Sequence, residues 1–335
     1  MRHALVTGAT GFIGHHLVQR LLAEGTKVKC LVRSQSRSAD LSQLDVTLVH
    51  GDLADCDSLA EAVKDVDVVY HLAGLTKTVK QCDLVRVNGE GTRNLSLVCS
   101  QRERPPIFVF VSSLAAAGPT VDADPRIETD AINPISSYGR SKRAGELAVI
   151  EFADVVPATI VRPPIVFGEH DRDVLHWFKM IRHLGIQLTP GFQDYHYSLI
   201  HADDLVSALI VAAKQGGRVT GDTKDDAGIY YAACDEVMTY SDIGRLIGQC
   251  VGRSRTRVVR VPLLMIRGLA LSCEFWARLR RNPTILNLDK AREAAAGGWA
   301  CSAAKLKRQT GFAPAMSLGE RLRQTADWYL RENWL

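Results

Sequence analysis

Two side chains four residues apart, Tyr138 and Lys142 in YGRSK, carry the clearest chemical signal in the sequence. On a helix that spacing puts both on one face. An ammonium beside a phenol favours the phenolate, so Tyr138 is expected to ionise below its usual value of about 10 and to exchange a proton near neutrality. Ser113 ends the apolar run IFVFVSS upstream of the tyrosine. Strand C-termini are where open α/β sheets bind ligands, so its hydroxyl is placed to hold a substrate oxygen, with Ser112 as the adjacent competitor. Y-x-x-x-K alone also describes a solvated pair on a helix surface, and a strand-end serine can simply satisfy backbone groups.

A second constellation stands at the N-terminus, where Gly8, Gly11 and Gly14 form G-x-x-G-x-x-G in TGATGFIG, with Thr10, Phe12 and Ile13 between them. A glycine turn between strand and helix lets the backbone approach a pyrophosphate while the helix N-terminus supplies N–H donors. The competing reading is a tight turn with no ligand. Arg33 and Arg37 follow the second β-rich run, KVKCLV, where an acid would suit the free ribose hydroxyls of NAD. A guanidinium there suits the 2′-phosphate of NADP, so NADP is the expected cofactor and NAD the alternative. Asp52 in HGDLAD is placed to meet the adenine edge, with helix capping as its other role. Thr76, Lys77 and the stretch Arg162 to Phe167 are further substrate-side candidates, and Tyr195, His196 and Tyr197 either line a pocket or pack. His15, His16, His71 and His201 lack metal-ligand spacing, and no metal is expected.

These groups need a scaffold, and the first half of the chain supplies one by alternating short apolar runs with amphipathic stretches. HALVT, KVKCLV, VTLVH, VDVVYHL, IFVFV and ATIVR read as strands; Phe12 to Ala23, Leu84 to Ser100 and Ser136 to Phe152 read as helices. Fully apolar strands imply burial on both faces, hence an α/β, doubly wound parallel (Rossmann) sheet. Pro163 and Pro164 should stop regular structure there. The expected division is a dinucleotide-binding domain over 1–165 with a return segment near 198–215. Residues 166–197 and 216–335 would form a smaller, discontinuous substrate lobe.

Composition excludes several classes of function. Of 335 residues 46% are hydrophobic and 23% charged, and a net charge of +4 without basic blocks argues against nucleic acid as a partner. Eight scattered cysteines fit a reducing cytoplasm. The opening residues do not resemble a secretory signal, and the longest apolar stretch, 262–277, contains Arg267 and Glu274 and is too short to span a bilayer.

Taken in order, TGATGFIG, GDLAD, HLAG, VNGEGTRN, FVSS, YGRSK, RPPIVFG and HADDL resemble the extended short-chain dehydrogenase/reductase family across nearly the whole chain. The resemblance implies that the three glycines hold the pyrophosphate, that Asp52 and Leu53 flank adenine, and that Ala73 and Gly74 line the cofactor. It also places Pro163, Ile165 and Val166 beside the nicotinamide. Tyr138 becomes the general acid/base, Lys142 also holds the nicotinamide ribose, and Ser113 orients the reacting oxygen. VRSQSR and the segment 261–292 look most like the 3β-hydroxysteroid dehydrogenase and dihydroflavonol reductase branch. This implies NADP(H)-dependent interconversion of a secondary alcohol and a ketone on a hydrophobic, sterol-like or flavonoid-like small molecule. The alternatives are a nucleotide-sugar epimerase or dehydratase with tightly bound NAD, and a decarboxylating dehydrogenase of 4-carboxysterol type. The apolar segment 261–292 is expected to cap a hydrophobic substrate, to touch a membrane surface through 262–281, or to pack as an ordinary amphipathic helix. The resemblance also implies a homodimer, paired through the Tyr138 helix and the long helix before it.

Overall fold

The computed structural model describes residues 1–33, 41–120, 124–280, 284 and 287–335; Arg37 lies outside them. The first half folds as β1 (His3–Thr7), α1 (Phe12–Ala23), β2 (Lys27–Val32), β3 (Val46–His50), α2 (Cys56–Ala62), β4 (Val68–His71), α3 (Gln81–Val85), α4 (Gly91–Ser100), β5 (Ile107–Val111), α5 (Leu114–Ala117), α6 (Ser137–Ile150) and β6 (Ala158–Arg162). There follow β7 (Ile165–Phe167), α7 (Leu175–Leu184), β8 (Ile186–Pro190), β9 (His196–Tyr197), β10 (Leu199–His201), α8 (Ala202–Gln215), β11 (Ile229–Tyr231), β12 (Met238–Thr239) and α9 (Tyr240–Cys250). The chain closes with β13 (Arg257–Val261), α10 (Leu263–Arg280), α11 (Leu288–Ala295), α12 (Ala304–Thr310) and α13 (Leu318–Arg331).

Seven strands form one parallel sheet in the order β11-β6-β5-β4-β1-β2-β3. Successive side chains of a strand point to opposite faces. Val6 accordingly joins Leu17, Leu209 and Leu306 in one hydrophobic core, and Leu5 joins Leu59, Leu95 and Val149 in the other. Helices thus cover both faces, as the apolar strands require. Strand order reverses beside β1, so the glycine loop that follows it opens on the crevice where such sheets bind dinucleotides.

Three expectations change. The stretch expected as one helix over 84–100 is interrupted by a wide π turn at Arg86–Glu90, which buries Asn88 and Gly89. Residues 229–231, expected in the second lobe, supply the seventh strand of the central sheet, pairing with β6. The two prolines end β6 but not regular structure, because β7 starts at Ile165 and pairs in parallel with β10. A separate core in the second half gathers Phe167, Phe178, Ile243, Leu322 and Tyr329.

Candidate active site

The glycine loop shows which of its glycines the fold needs. Gly8 has φ +74°, in the left-handed region, and a Cβ there would lie 2.7 Å from the Ala73 nitrogen. A Cβ on Gly14 would fall 2.2 Å from the Gly8 carbonyl oxygen. Gly11 differs: its φ is −85°, and an added Cβ would meet only the Gly8 oxygen, at 3.2 Å. Internal packing therefore gives little reason for a bare backbone at this exposed position, whereas an approaching pyrophosphate gives one. Gly11 is also the N-cap of α1 and provides no side-chain cap, which leaves first-turn N–H groups to a ligand or water. The residues present thus fit a dinucleotide.

Around this loop Thr10 is exposed, Phe12 meets the His16 ring edge-on at 5.5 Å, and Ile13 packs on the sheet. Arg33 follows β2 directly and is exposed. Asp52 is exposed too, its carboxylate accepting from the Ala54 nitrogen at 3.0 Å; the cap of α2 is Asp55 instead. Leu53 is buried under Gly91. The Ala73 nitrogen donates to Thr7 Oγ1 at 3.2 Å, and Gly74 sits over Asn88 and near the Lys142 ammonium.

Tyr138 stands in the first turn of α6, which Ser136 caps by accepting from the Gly139 nitrogen at 2.9 Å. Gly139 packs so tightly on the Ala115 carbonyl that a Cβ would come within 2.3 Å of it, seating α6 against α5 and beside Ser113. The expected lowering of the phenol pKa is not found. Burial raises it, while the Ser113 hydroxyl and the Lys290 charge offset part of the rise. Lys142 does not supply the missing push, because its ammonium rests over the Phe110 ring, 4.5 Å from the centroid. Burial brings its own pKa down to about 8 against the pull of Glu146.

Two other candidates turn inward. Ser112 donates to Glu146 at 2.6 Å, and the same carboxylate takes both Arg162 contacts, at 2.7 and 2.8 Å, and one from Arg143 at 2.9 Å. The Ser112 hydroxyl and the Arg162 guanidinium therefore face a buried network around Glu146 rather than the cleft. The Pro163 carbonyl accepts from the Leu114 nitrogen at 2.8 Å, tying β6 to α5, and Ile165 and Val166 form β7.

Tyr138 opens onto a cleft that includes Thr76, Lys77 and Leu84 on one side and Glu274, Ala277, Asp289, Lys290 and Glu293 on the other. No arginine lines it among the described residues. Its two lysines are matched by acids: Lys77 by Asp173 at 2.9 Å and Lys290 by Glu293 at 2.8 Å. Asp289 accepts from the Ser137 nitrogen at 2.9 Å, which ties α11 to the start of the tyrosine helix. Tyr195, by contrast, lines a separate hollow with Phe192 and Leu263, and Tyr197 is buried in the second core.

Sequence reasoning offered 261–292 as a cap over a hydrophobic substrate but missed which of the α10–α11 residues line the cleft, and it missed Asn88. A lone acid, Glu274, inside an apolar stretch was the available signal for the former. For Asn88 the signal was its place in VNGEGTRN: the π turn carries its side chain to Leu75 and to Ser141, at 2.9 Å each. His16 makes a different knot. Its Nδ1 lies 2.8 Å from Asp203 and its Nε2 3.0 Å from the Glu169 carbonyl oxygen, which ties α1 to the segments on either side of β10.

Comparison with known proteins agrees with this geometry. Residues 4–223 match the NAD dependent epimerase/dehydratase family. A ceramide reductase of Caulobacter vibrioides is 30% identical over 98% of this chain and 95% of its own. Sterol demethylase protein B of Methylococcus capsulatus is 30% identical over 80% of both chains. The fold also superposes on UDP-glucose 4-epimerase of Thermotoga maritima with a TM-score of 0.76, at 21% identity over 99% of each chain. A crevice built for a dinucleotide, at the strand ends of a sheet shared with these proteins, places the chain in the NAD-dependent epimerase/dehydratase family of extended short-chain dehydrogenases/reductases, as an NAD(P)-dependent oxidoreductase.

Proposed function

We propose that the chain reduces a ketone to a secondary alcohol, or runs the reverse, with NADP(H), on a small molecule that is largely hydrophobic and carries no phosphate or carboxylate. The observation that carries this reading is the cleft at Tyr138: its lysines are already paired with acids, and its described lining holds no arginine. A nucleotide sugar needs cations for its diphosphate, and a 4-carboxysterol needs one for its carboxylate. The similarity to a ceramide reductase over nearly the full chain supports the same choice.

The dinucleotide supplies the hydride donor or acceptor. In this reading the chain does the rest. Gly8, Gly11 and Gly14 with the start of α1 hold the pyrophosphate, Arg33 the 2′-phosphate, and Asp52 and Leu53 the adenine. Ala73, Gly74, Pro163, Ile165 and Val166 line the reactive end. Ser113 holds the substrate oxygen, and Tyr138 gives it a proton. A phenol whose pKa is raised by burial is fully protonated at neutral pH, which suits the acid that ketone reduction requires. Lys142, whose ammonium lies beside Gly74, holds the nicotinamide ribose. A homodimer through α4 and α6 belongs to the same reading; Leu147 of α6 is exposed there.

The test follows NADPH consumption by the purified protein with a water-soluble aliphatic ketone bearing a short apolar chain, and separately with UDP-glucose. Oxidation of NADPH by the ketone alone is expected. Protein that retains NAD through purification and isomerises UDP-glucose without net redox change overturns the proposal.

A further inference from the structure

The outer side of α10 is apolar and open. Leu264 is 80% exposed, Phe275 and Leu279 65% each, and Leu269, Leu271 and Trp276 more than half. At about 100° per residue they fall within one arc of roughly 160°, interrupted only by Gly268 and Ser272. Arg280 borders one edge of the arc and Arg267 lies about 40° beyond the other; the arc itself carries no acid, and the helix's one acid, Glu274, projects about 20° further round than Arg267, where it lines the Tyr138 cleft with Ala277.

We propose that α10 lies in the surface of an anionic bilayer and that the Tyr138 cleft draws its substrate, a membrane amphiphile, from that surface. The second half rests on the function proposed above. No described helix is long and apolar enough to cross a membrane, so α10 lies along it. An apolar arc with cationic edges and no carboxylate matches hydrocarbon beneath anionic headgroups. A second copy of the chain fits less well, because a symmetric pairing of these arcs brings arginines together with no acid on the arc to meet them. Phe192, 73% exposed, lies in the loop beside Leu263, the first residue of α10, and adds a second exposed apolar group at that end of the helix. The cleft wall and the membrane face are then two sides of a single helix, which sets the cleft beside the lipid.

The experiment compares wild type with the triple variant Leu264→Ser, Phe275→Ser, Leu279→Ser, none of which touches the cleft. Both are sedimented with vesicles of phosphatidylcholine, with and without phosphatidylglycerol, and assayed with the water-soluble ketone and with a long-chain ketone embedded in the vesicles. Wild type is expected to bind the anionic vesicles, more weakly at high salt, and the triple variant to bind at least about tenfold more weakly. Turnover of the soluble ketone should match, and turnover of the embedded one should fall by a similar factor. Wild type that ignores both vesicles, or a variant that binds as wild type does, overturns the membrane assignment. So does a variant whose only change is oligomeric state, which would make the arc a contact between copies. Vesicle binding without turnover of either ketone removes the proposed function and the amphiphile while the docking face stands.

Discussion

Tyr138, Lys142 and Glu146 follow one another at four-residue spacing along a single stripe of α6, yet its two ends are built on different principles. At the core end the Glu146 carboxylate is saturated by Ser112, Arg143 and Arg162, and burial fails to raise its pKa because Arg162 holds it down. At the cleft end Lys142 rests on an aromatic face, and its pKa drops to about 8. A buried charge with all its partners is architecture. A buried charge that its surroundings tolerate poorly is kept for something not in the chain itself, which is why such groups mark sites.

Substitutions can break that contrast. Arg162→Met leaves Glu146 buried beside a lost partner and should reduce stability by about 3–5 kcal/mol in a denaturant titration, with turnover per folded molecule little changed. Lys142→Met should do the opposite, lowering turnover by about 10²-fold while the folded state persists. Parallel losses of stability and turnover in both variants would erase the distinction.

The same lysine gives a pH signature. Its folded pKa of about 8 lies below the ordinary lysine value of 10.5, so between those values the unfolded chain holds the proton more tightly. Stability due to this group therefore rises with pH from about 8 to 10.5, the ammonium being disfavoured below that window. Urea midpoints should show this increment in wild type and lose it in Lys142→Met. For cofactor choice, Arg33→Ala should weaken NADP about tenfold, or roughly 1.4 kcal/mol, and leave NAD nearly unchanged in fluorescence titrations.

The smallest effect concerns another saturated charge. Burial alone would lower the His16 pKa, but its bonds to Asp203 and the Glu169 carbonyl raise it above 6.5. Its stabilisation is complete below 6.5 and disappears as pH rises through the folded value. Replacing it with Asn should cost about 1 kcal/mol at mildly acid pH and less at alkaline pH, read from thermal unfolding.

What the sequence revealed was local. Six sheet strands, the glycine turn and the tyrosine helix announce themselves through runs and spacings of a few residues. What it concealed depends on distant chain segments. Ser112 and Ser113 are indistinguishable until β5 is set beside Glu146 of α6, which claims the first hydroxyl and leaves the second near Tyr138. Burial of the phenol, which reverses the expected pKa direction, comes partly from a cleft whose far wall includes Glu274, Ala277, Asp289, Lys290 and Glu293. Ile229–Tyr231 is too short to show periodicity, and only its pairing with β6 identifies it as a sheet strand. The π turn that delivers Asn88 looks, in sequence, like uninterrupted helix.

The central claim is that the Tyr138 hydroxyl exchanges the reacting proton. Tyr138→Phe removes that oxygen alone, so turnover of the ketone with NADPH should fall by about 10²–10⁴-fold while NADPH binding, measured on the same preparation, is barely altered. Undiminished turnover in that variant would contradict the account.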